Sequence, residues 1–318
     1  MKTKKTAMSL NTNRNRHGLC SNLYNYRYAY ILLLPAIIAV IMFLYLPMFG
    51  LVIAFKDYNI FDGLWGSPWV GLENFKTVLQ HKTMMKAVRN TLVLSFINIF
   101  GGLPFPIILA VLFNEIWNTK FKKTVQTLSY LPHFLSWVSV VGFCYSMLAI
   151  EGPINQLLMK LCGDGYVAKN FLMDSKYFMP IAFLTALWKE IGWNSVIYLA
   201  AITGIDSSLY EAATIDGANK LQQTWHITLA GIKGTIVVLL VMKLGTLFGG
   251  NFELVYGLQN VFTIDDTEII GTMVYRAGIQ NGDYSTATAF GLMQGLISII
   301  LILSSNFLSK KLAEVSIW

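Results

Sequence analysis

Residues 28–55 read YAYILLLPAIIAVIMFLYLPMFGLVIAF, a stretch without a single Asp, Glu, Lys or Arg. A second stretch without these residues covers residues 90–114. A helix needs about 20 apolar residues to cross a hydrocarbon core about 30 Å thick. Both stretches are therefore long enough to form transmembrane helices.

The composition of the whole chain points to the same class of protein. Of its 318 residues, 55% are hydrophobic and 13% are Asp, Glu, Lys or Arg. Soluble domains contain roughly 45–50% apolar and about 25% charged residues. So few charged side chains cannot cover the surface of a soluble protein. The sequence thus predicts an all-α membrane protein with several transmembrane helices and argues against a water-soluble enzyme.

Charge-poor windows along the chain predict six transmembrane helices. The fourth and fifth windows differ from the others because Lys189, Glu190 and Lys243 lie inside them. The six windows cover approximately residues 28–55, 90–113, 124–150, 177–205, 235–256 and 287–308.

The distribution of Lys and Arg predicts the orientation of these helices. The first 27 residues hold six basic residues and no acid. With the connections on the same side, they carry 13 basic and 5 acidic residues, against 9 basic and 11 acidic on the other side. Lys and Arg mark the cytoplasmic side of a membrane. We therefore expect a cytoplasmic arm (1–27), a six-helix domain (28–308) and a cytoplasmic tail (309–318).

Several motifs that carry chemistry are missing from the sequence. The chain has no Gly-Lys dipeptide, and so no P-loop for ATP, and it contains neither HExxH nor GxSxG. Its three cysteines, Cys20, Cys144 and Cys162, form no CxxC pair, which argues against a zinc site or a disulfide framework. We therefore predict no catalytic residue, no metal site and no cofactor bound by this chain.

The segment 206–234 is the longest predicted cytoplasmic connection. Ser208 and Glu211 have the S-x-x-E spacing of a capping box, which predicts a helix that begins at Leu209. Gly217 stands where this helix would end, because glycine accepts the left-handed conformation that is common there. Residues 220–228 can resume as a second helix. We expect a helix-turn-helix whose small residues allow a partner to approach closely.

This segment also resembles a known family. The pattern EAA-x3-G-x9-I-x-L-P is the signature of permease subunits of ATP-binding-cassette (ABC) importers, which work with a substrate-binding protein. The final Pro of the pattern is replaced here by Ala230. Four further stretches, 45–59, 66–75, 131–137 and 204–213, are similar to the oligosaccharide branch of the family. The residues that match the pattern are Glu211, Ala212, Ala213, Gly217, Ile227 and Leu229.

The resemblance implies a type I importer permease fold and a non-catalytic subunit in the cytoplasmic membrane of a bacterium. It also implies a second, homologous permease, two cytoplasmic ATPase subunits that bind ATP and Mg, and an extracytoplasmic solute-binding protein. The substrate would be an oligosaccharide, and nucleic acid would have no role. By the same resemblance, the residues expected to couple this chain to the ATPase are Glu211, Ala212, Ala213, Asp216 and Gly217.

By the same resemblance, the fourth and fifth windows are the expected lining of the substrate path. Ionisable side chains inside a membrane are costly and commonly serve a function, while aromatic rings can stack on sugars and amides can bind their hydroxyl groups. A structural ion pair between Glu190 and Lys243, with ordinary packing of the aromatic rings, is the alternative. The residues predicted for the path are Lys189, Glu190, Trp193, Asn194, Lys243, Asn251, Phe252 and Tyr256.

Two other classes of function are compatible with these patterns. An ion-coupled secondary transporter would need an intramembrane acid to bind a proton or sodium ion, and Glu190 is the candidate. A membrane scaffold or receptor would need no polar cavity. The motifs do not distinguish a charged oligosaccharide from a neutral one.

Overall fold

The structure is a computed structural model that describes residues 26–80 and 82–313. Nearly all of the predicted basic arm and the last five residues of the predicted tail lie outside the described residues. The described part divides into two compact units, one ending at Val52 and one beginning at Ile53.

The described residues are almost entirely helical, as predicted. They contain no β-strand, only an isolated antiparallel bridge between Lys56 and Trp69. The α-helices of eight residues or more are α1 (Arg27–Val40), α2 (Glu73–Gln80), α3 (Lys82–Phe96), α4 (Pro104–Glu115), α5 (Thr119–Tyr130), α6 (Trp137–Leu148), α7 (Pro153–Cys162), α8 (Ser175–Thr203), α9 (Ser207–Ile215), α10 (Lys233–Gly245) and α11 (Tyr284–Ala313).

Shorter helical segments connect these elements. The α-helical ones are Gly63–Gly66, Lys220–Gln223, Leu229–Gly231, Phe252–Leu258, Ile264–Thr267 and Ile270–Tyr275. The 3-10 segments are Leu46–Phe55, Leu131–Phe134 and Gly163–Gly165, and the π-helical segments are Ile41–Tyr45, Ile97–Gly101, Thr224–Thr228 and Arg276–Gln280.

Four helical stretches of the described residues are long and apolar enough to cross a membrane: Arg27–Phe55, Thr83–Glu115, Trp137–Cys162 and Tyr284–Phe307. A fifth is obtained if Lys220–Gly231 and Lys233–Gly245, bent by 57° relative to each other, form one span. The helix α8 has 29 residues and is about 44 Å long at 1.5 Å per residue, although its charged residues make it less apolar. The count of six spans stays a prediction.

Two of the predicted spans are not single continuous helices. Within the window 124–150, the helix α5 ends at Tyr130 and is followed by a 3-10 turn that contains Pro132. Proline has no N–H group to continue the helical hydrogen-bond ladder. A new helix, α6, begins after Ser136, whose hydroxyl accepts a hydrogen bond from the backbone N–H of Ser139. Within the window 235–256, α10 ends at Gly245 and the next helix begins only at Phe252.

The long helix α8 is the centre of the second unit. Near its N-terminal end, Phe178 and Ala182 are buried in a cluster with Leu254 of the Phe252–Leu258 helix. Near its C-terminal end, Tyr198 and Ile202 are buried in another cluster. The two clusters fix both ends of α8 in the core.

A glycine in the middle of α8 allows a close approach to α5. Gly192 is buried, and a Cβ atom there would lie well inside contact distance of the backbone carbonyl of Ser129. Only glycine therefore fits at this crossing. Because α5 leads directly into the break at residues 131–136, this contact also sets the position of the break beside α8.

Candidate functional site

A cavity of about 360 Å³ lies beside the middle of α8. Its other walls are the end of α3 with the Ile97–Gly101 segment, the start of α4, and the turn after α10. Much of the lining is apolar or glycine, but charged, amide and hydroxyl groups converge on it. The polar residues that line the cavity are Ser95, Asn98, Glu190, Asn194, Lys243, Thr246 and Asn251.

The cavity brings together four of the eight residues predicted for the substrate path. Glu190 and Asn194 come from α8, one helical turn apart, Lys243 from the last turn of α10, and Asn251 from the turn that follows α10. The break in the fifth predicted span is what carries Asn251 to the cavity. The other four predicted residues, Lys189, Trp193, Phe252 and Tyr256, are not part of its lining.

Lys189 and Glu190 form a clamp with His133. The Nδ1 atom of His133 lies 2.9 Å from Oε2 of Glu190. The buried Lys189 ammonium donates a hydrogen bond to the backbone carbonyl of His133 at 2.6 Å and lies 3.5 Å from Oε1 of Glu190. The clamp therefore fastens the 3-10 turn Leu131–Phe134 to the middle of α8.

Aromatic rings enclose this clamp. The ring of Trp193 stacks on His133 with centroids 4.5 Å apart and an interplanar angle of 1°. The Lys189 ammonium lies 4.8 Å from the ring centroid of Trp137, a favourable cation–π contact. Lys189 and Trp193 thus hold the break in the third predicted span beside α8.

Replacing Lys189 by Met is expected to destabilise the protein, because it leaves the His133 carbonyl without its donor and Glu190 without a cation. A buried polar group that loses its partner costs about 1–3 kcal/mol. The matched control is Lys176→Met, also on α8, because the Lys176 side chain is exposed and pairs with Asp174 at the surface. Thermal unfolding of the purified protein should show a lower midpoint for Lys189→Met alone, and equal midpoints for both variants would contradict the clamp.

Phe252 and Tyr256 belong to a separate aromatic cluster. Their rings stack at 5.4 Å, and Tyr275 packs against both. Phe252 and Tyr275 also line a second recess of about 510 Å³, beside Tyr284 and Thr288 of α11. These two predicted residues therefore lie together, but not in the cavity that holds Asn194.

The segment predicted to contact an ATPase forms the expected helix-turn-helix, but it begins differently. The predicted capping box between Ser208 and Glu211 is wrong. The helix α9 begins at Ser207, and the carboxylate of Asp206 accepts a hydrogen bond from the backbone N–H of Ser208 at 2.9 Å. This hydrogen bond lowers the pKa of Asp206. A capping box is present instead at the second short helix, between Asn219 and Gln222.

The turn of this segment confirms the prediction for Gly217. Its φ is +79°, a left-handed conformation that L-residues with a Cβ rarely adopt. The N–H groups of Gly217 and Ala218 donate to the carbonyls of Thr214 and Ala213, which is the hydrogen-bond pattern of a Schellman motif. Within the segment, the side-chain oxygens of Tyr210 and Thr228 lie 2.9 Å apart, so the two halves are held together.

The five predicted coupling residues are all at least partly accessible. Glu211, Ala212, Asp216 and Gly217 are exposed and Ala213 is half-buried. Large apolar side chains nearby are also exposed, an arrangement typical of an interaction surface. These side chains are Leu209, Ile215, Leu221 and Trp225.

Comparison with known families now adds to this geometry. Residues 83–314 match the model of a family described as "Binding-protein-dependent transport system inner membrane component". The chain belongs to this family. It is a non-catalytic permease subunit of a carbohydrate ABC importer, as the sequence motifs indicated.

Two relatives of this permease come from Bacillus subtilis (strain 168). This permease is 44% identical to the "Polygalacturonan/rhamnogalacturonan transport system permease protein YteP". The match extends over 304 residues, which is 95% of this chain and 94% of the relative. The permease is 40% identical over 286 residues, 90% of this chain and 89% of the relative, to "Protein LplB". The permease is thus similar to each of them over nearly its whole length.

Solved structures show the fold of the permease. One is a bacterial ABC transporter involved in the import of the acidic polysaccharide alginate, with a TM-score of 0.85 and 36% identity over 92% of this chain and 99% of that one. The same kind of transporter in complex with an alginate pentasaccharide-bound periplasmic protein gives 0.86 and 36%, over 94% of this chain and 99% of that one. The expected ABC importer permease fold is therefore confirmed.

Sequence reasoning missed several residues of the permease's cavity and clamp. Asn98 and Ser95 lie in an apolar window, where their amide and hydroxyl were the only signal available. Thr246 follows directly on α10 and had no distinguishing pattern. His133 stands after Pro132, and its role depends on a partner 57 residues later in the chain, which a local pattern cannot reveal.

Proposed function

We propose that this permease is one of two homologous permease subunits that together enclose the path of an oligosaccharide through the cytoplasmic membrane of a bacterium. The observation that carries the proposal is the cavity at the centre of the second unit, where Glu190, Lys243 and three asparagine amides converge among apolar helices. Polar groups among membrane helices commonly face a wet cavity and serve transport. The amides of Asn98, Asn194 and Asn251 would bind sugar hydroxyl groups.

The substrate class that we propose is an oligosaccharide with acidic sugar units. The support comes from the names of its relatives, since one is a polygalacturonan/rhamnogalacturonan permease and the solved transporter imports an acidic polysaccharide. A carrier of such a sugar must offer cationic and hydrogen-bonding groups in its path. Lys243 and the amides of the cavity meet this requirement.

The segment from Ser207 to Thr228 is the proposed docking element for one of two cytoplasmic ATPase subunits. It is exposed, helical and rich in small and apolar side chains, and it lies between the two helices that line the cavity. Asn194 is nine residues from the end of α8, about 14 Å along the helix axis. A displacement of α9 can therefore be transmitted to the cavity through the continuous helix α8.

The proposed mechanism is a shift between two conformations of the cavity. The ATPase subunits, which bind ATP and Mg, close when ATP binds and move the docked segments with them. A loaded solute-binding protein on the outside favours the outward-facing state, and hydrolysis restores the inward-facing one. Each ligand shifts the equilibrium only by its difference in affinity for the two states. This chain supplies the path and the mechanical connection, and its partners supply the ATP chemistry.

Labelling of introduced cysteines would test the proposed orientation, with both termini in the cytoplasm. In a chain with its native cysteines replaced by Ser, we expect a membrane-impermeant maleimide to reach Phe61→Cys and Val261→Cys from outside intact cells, but not Ile215→Cys. All three side chains are at least 86% exposed, so accessibility within the chain is matched. Permeabilised cells are the control, in which all three should react. Labelling of Ile215→Cys in intact cells would contradict the orientation.

Co-purification tests the proposed assembly. A tag on this permease should recover a second permease and an ATPase, with two ATPase copies for each copy of this chain. A secondary transporter would purify without an ATPase and would require Glu190 to be free for an ion, whereas Glu190 is bound to His133 and Lys189. Recovery of this chain without an ATPase, from membranes that contain one, would contradict the assembly.

A further inference from the structure

We propose that Lys243 is the residue through which this permease distinguishes acidic from neutral oligosaccharides. The proposal rests on the proposed function, because it assigns the selectivity of the same cavity. The observation behind it is an imbalance of charge between the two ionisable groups that line the cavity.

Glu190 is the acidic member of the lining, and its charge is already compensated. One carboxylate oxygen is 2.9 Å from His133, and the other is 3.5 Å from the buried Lys189 ammonium. Neither partner is part of the cavity lining. The Glu190 carboxylate that a sugar would meet in the cavity is therefore already paired with His133 and Lys189.

Lys243 is the basic member of the lining, and Glu190 attracts it only at longer range, without a direct ion pair. Among the described residues, no carboxylate oxygen lies within 4.0 Å of its ammonium, and its side chain donates no hydrogen bond to the protein. Lys189, Glu190 and Lys243 together leave one net positive charge at the cavity. A cation held among membrane helices without a close counter-ion is costly, and an anionic ligand would lower that cost.

The groups around Lys243 fit a carboxylated sugar. An ammonium binds a carboxylate as a compact charge with three donors, while Asn194 and Asn251 offer amide groups for the neighbouring hydroxyls. A neutral sugar would fill the same space but leave the ammonium unpaired, and a site whose buried polar group stays unpaired discriminates against that ligand.

A structural role for Lys243 gives a different expectation. Lys243 stands in the last turn of α10, where a cation is favoured by the helix dipole. That contribution does not depend on the sugar, so its loss would change the transport of acidic and neutral sugars equally. The ratio of the two uptake rates therefore separates recognition from helix stabilisation.

The test uses the complete transporter in liposomes, with its second permease, its ATPase subunits and its binding protein. The probes are trigalacturonate and the same trisaccharide with its carboxyl groups reduced to alcohols, each at a concentration that saturates the binding protein by titration. Lys243→Gln should lower uptake of trigalacturonate about tenfold, as expected for the loss of a charge-assisted contact, and change uptake of the reduced sugar less than about twofold. Lys243→Arg, which keeps the charge, should retain most of the uptake.

Two results would overturn the assignment of Lys243. One is an equal loss of uptake for both sugars in Lys243→Gln, which would show a structural role. The other is unchanged uptake of trigalacturonate in the same variant. A wild-type transporter that imports neither sugar would instead overturn the proposed function, and this inference with it.

Discussion

Replacing Ala212 by Trp is expected to release the ATPase while leaving this permease folded. Ala212 is exposed on α9, so we expect a larger side chain there to obstruct a docked partner more than it disturbs the fold of the chain. Overpacking a tight contact commonly costs 1–3 kcal/mol or more, and each 1.4 kcal/mol weakens association tenfold. We therefore expect the affinity for the ATPase to fall about tenfold to a hundredfold.

The measurement compares three properties of the Ala212→Trp complex with those of Ala212→Ser, a matched control that adds only one oxygen atom. The ATPase that co-purifies with the tagged permease should fall, and sugar-stimulated hydrolysis in liposomes should be lost. Thermal unfolding of the permease itself should not change. If the Trp variant still binds the ATPase and transports, the segment from Ser207 to Thr228 is an ordinary surface hairpin.

Replacing Gly192 by Ala is expected to have the largest effect on the permease itself. The added methyl group would overlap the backbone carbonyl of Ser129, and a backbone atom cannot move aside as a side chain can. The helices α5 and α8 would have to separate, which would also open the clamp that holds His133 to Glu190. We expect a loss of about 3 kcal/mol or more, beyond the usual range for overpacking.

The matched control for this variant is Gly142→Ala. Gly142 also lies within a helix, α6, but a Cβ atom there would meet nothing within 4 Å. Alanine favours a helix over glycine by about 1 kcal/mol, so Gly142→Ala should be neutral or stabilising. The yield of monodisperse permease after detergent extraction, with its unfolding midpoint, should fall for Gly192→Ala alone. Normal yield and midpoint for Gly192→Ala would contradict the close crossing of α5 and α8.

The helices could be predicted from the sequence more reliably than their breaks. Charge-free windows locate apolar helices because the bilayer demands them. Pro132, however, is compatible with a kinked membrane helix as well as with a broken one. The broken turn is held against α8 by contacts such as the hydrogen bond from the Lys189 ammonium to the carbonyl of His133, which joins parts of the chain 56 residues apart. No local pattern contains that contact.

Only part of the site could be predicted, because its other contacts also join distant parts of the chain. Lys189 and Glu190 are neighbours in sequence, and their positions on a helix showed only that both could not face the cavity. Which one does so depends on the rotation of α8, and Gly192 sets its closest contact with α5. The alternative of a direct ion pair between Glu190 and Lys243 is not observed, because Glu190 makes its close pairs with His133 and Lys189.

The signature of the proposed docking segment could be read without the structure because it is local. The spacing from Glu211 to Gly217 needs only one helical stretch and a glycine in the left-handed conformation. Its start was less predictable, since Asp206 and Ser208 are both good N-cap residues. The structure selects Asp206, and α9 begins two residues earlier than a cap at Ser208 would allow.

ATP-driven uptake by the complete transporter tests the central claim most directly. Liposomes that contain both permeases and the ATPase subunits, with the binding protein and labelled trigalacturonate outside, should accumulate the sugar only when ATP and Mg are present on the ATPase side. A non-hydrolysable ATP analogue should not support accumulation, and neither should a proton or sodium gradient without ATP. Accumulation driven by an ion gradient in liposomes that contain this chain without the ATPase would contradict the account.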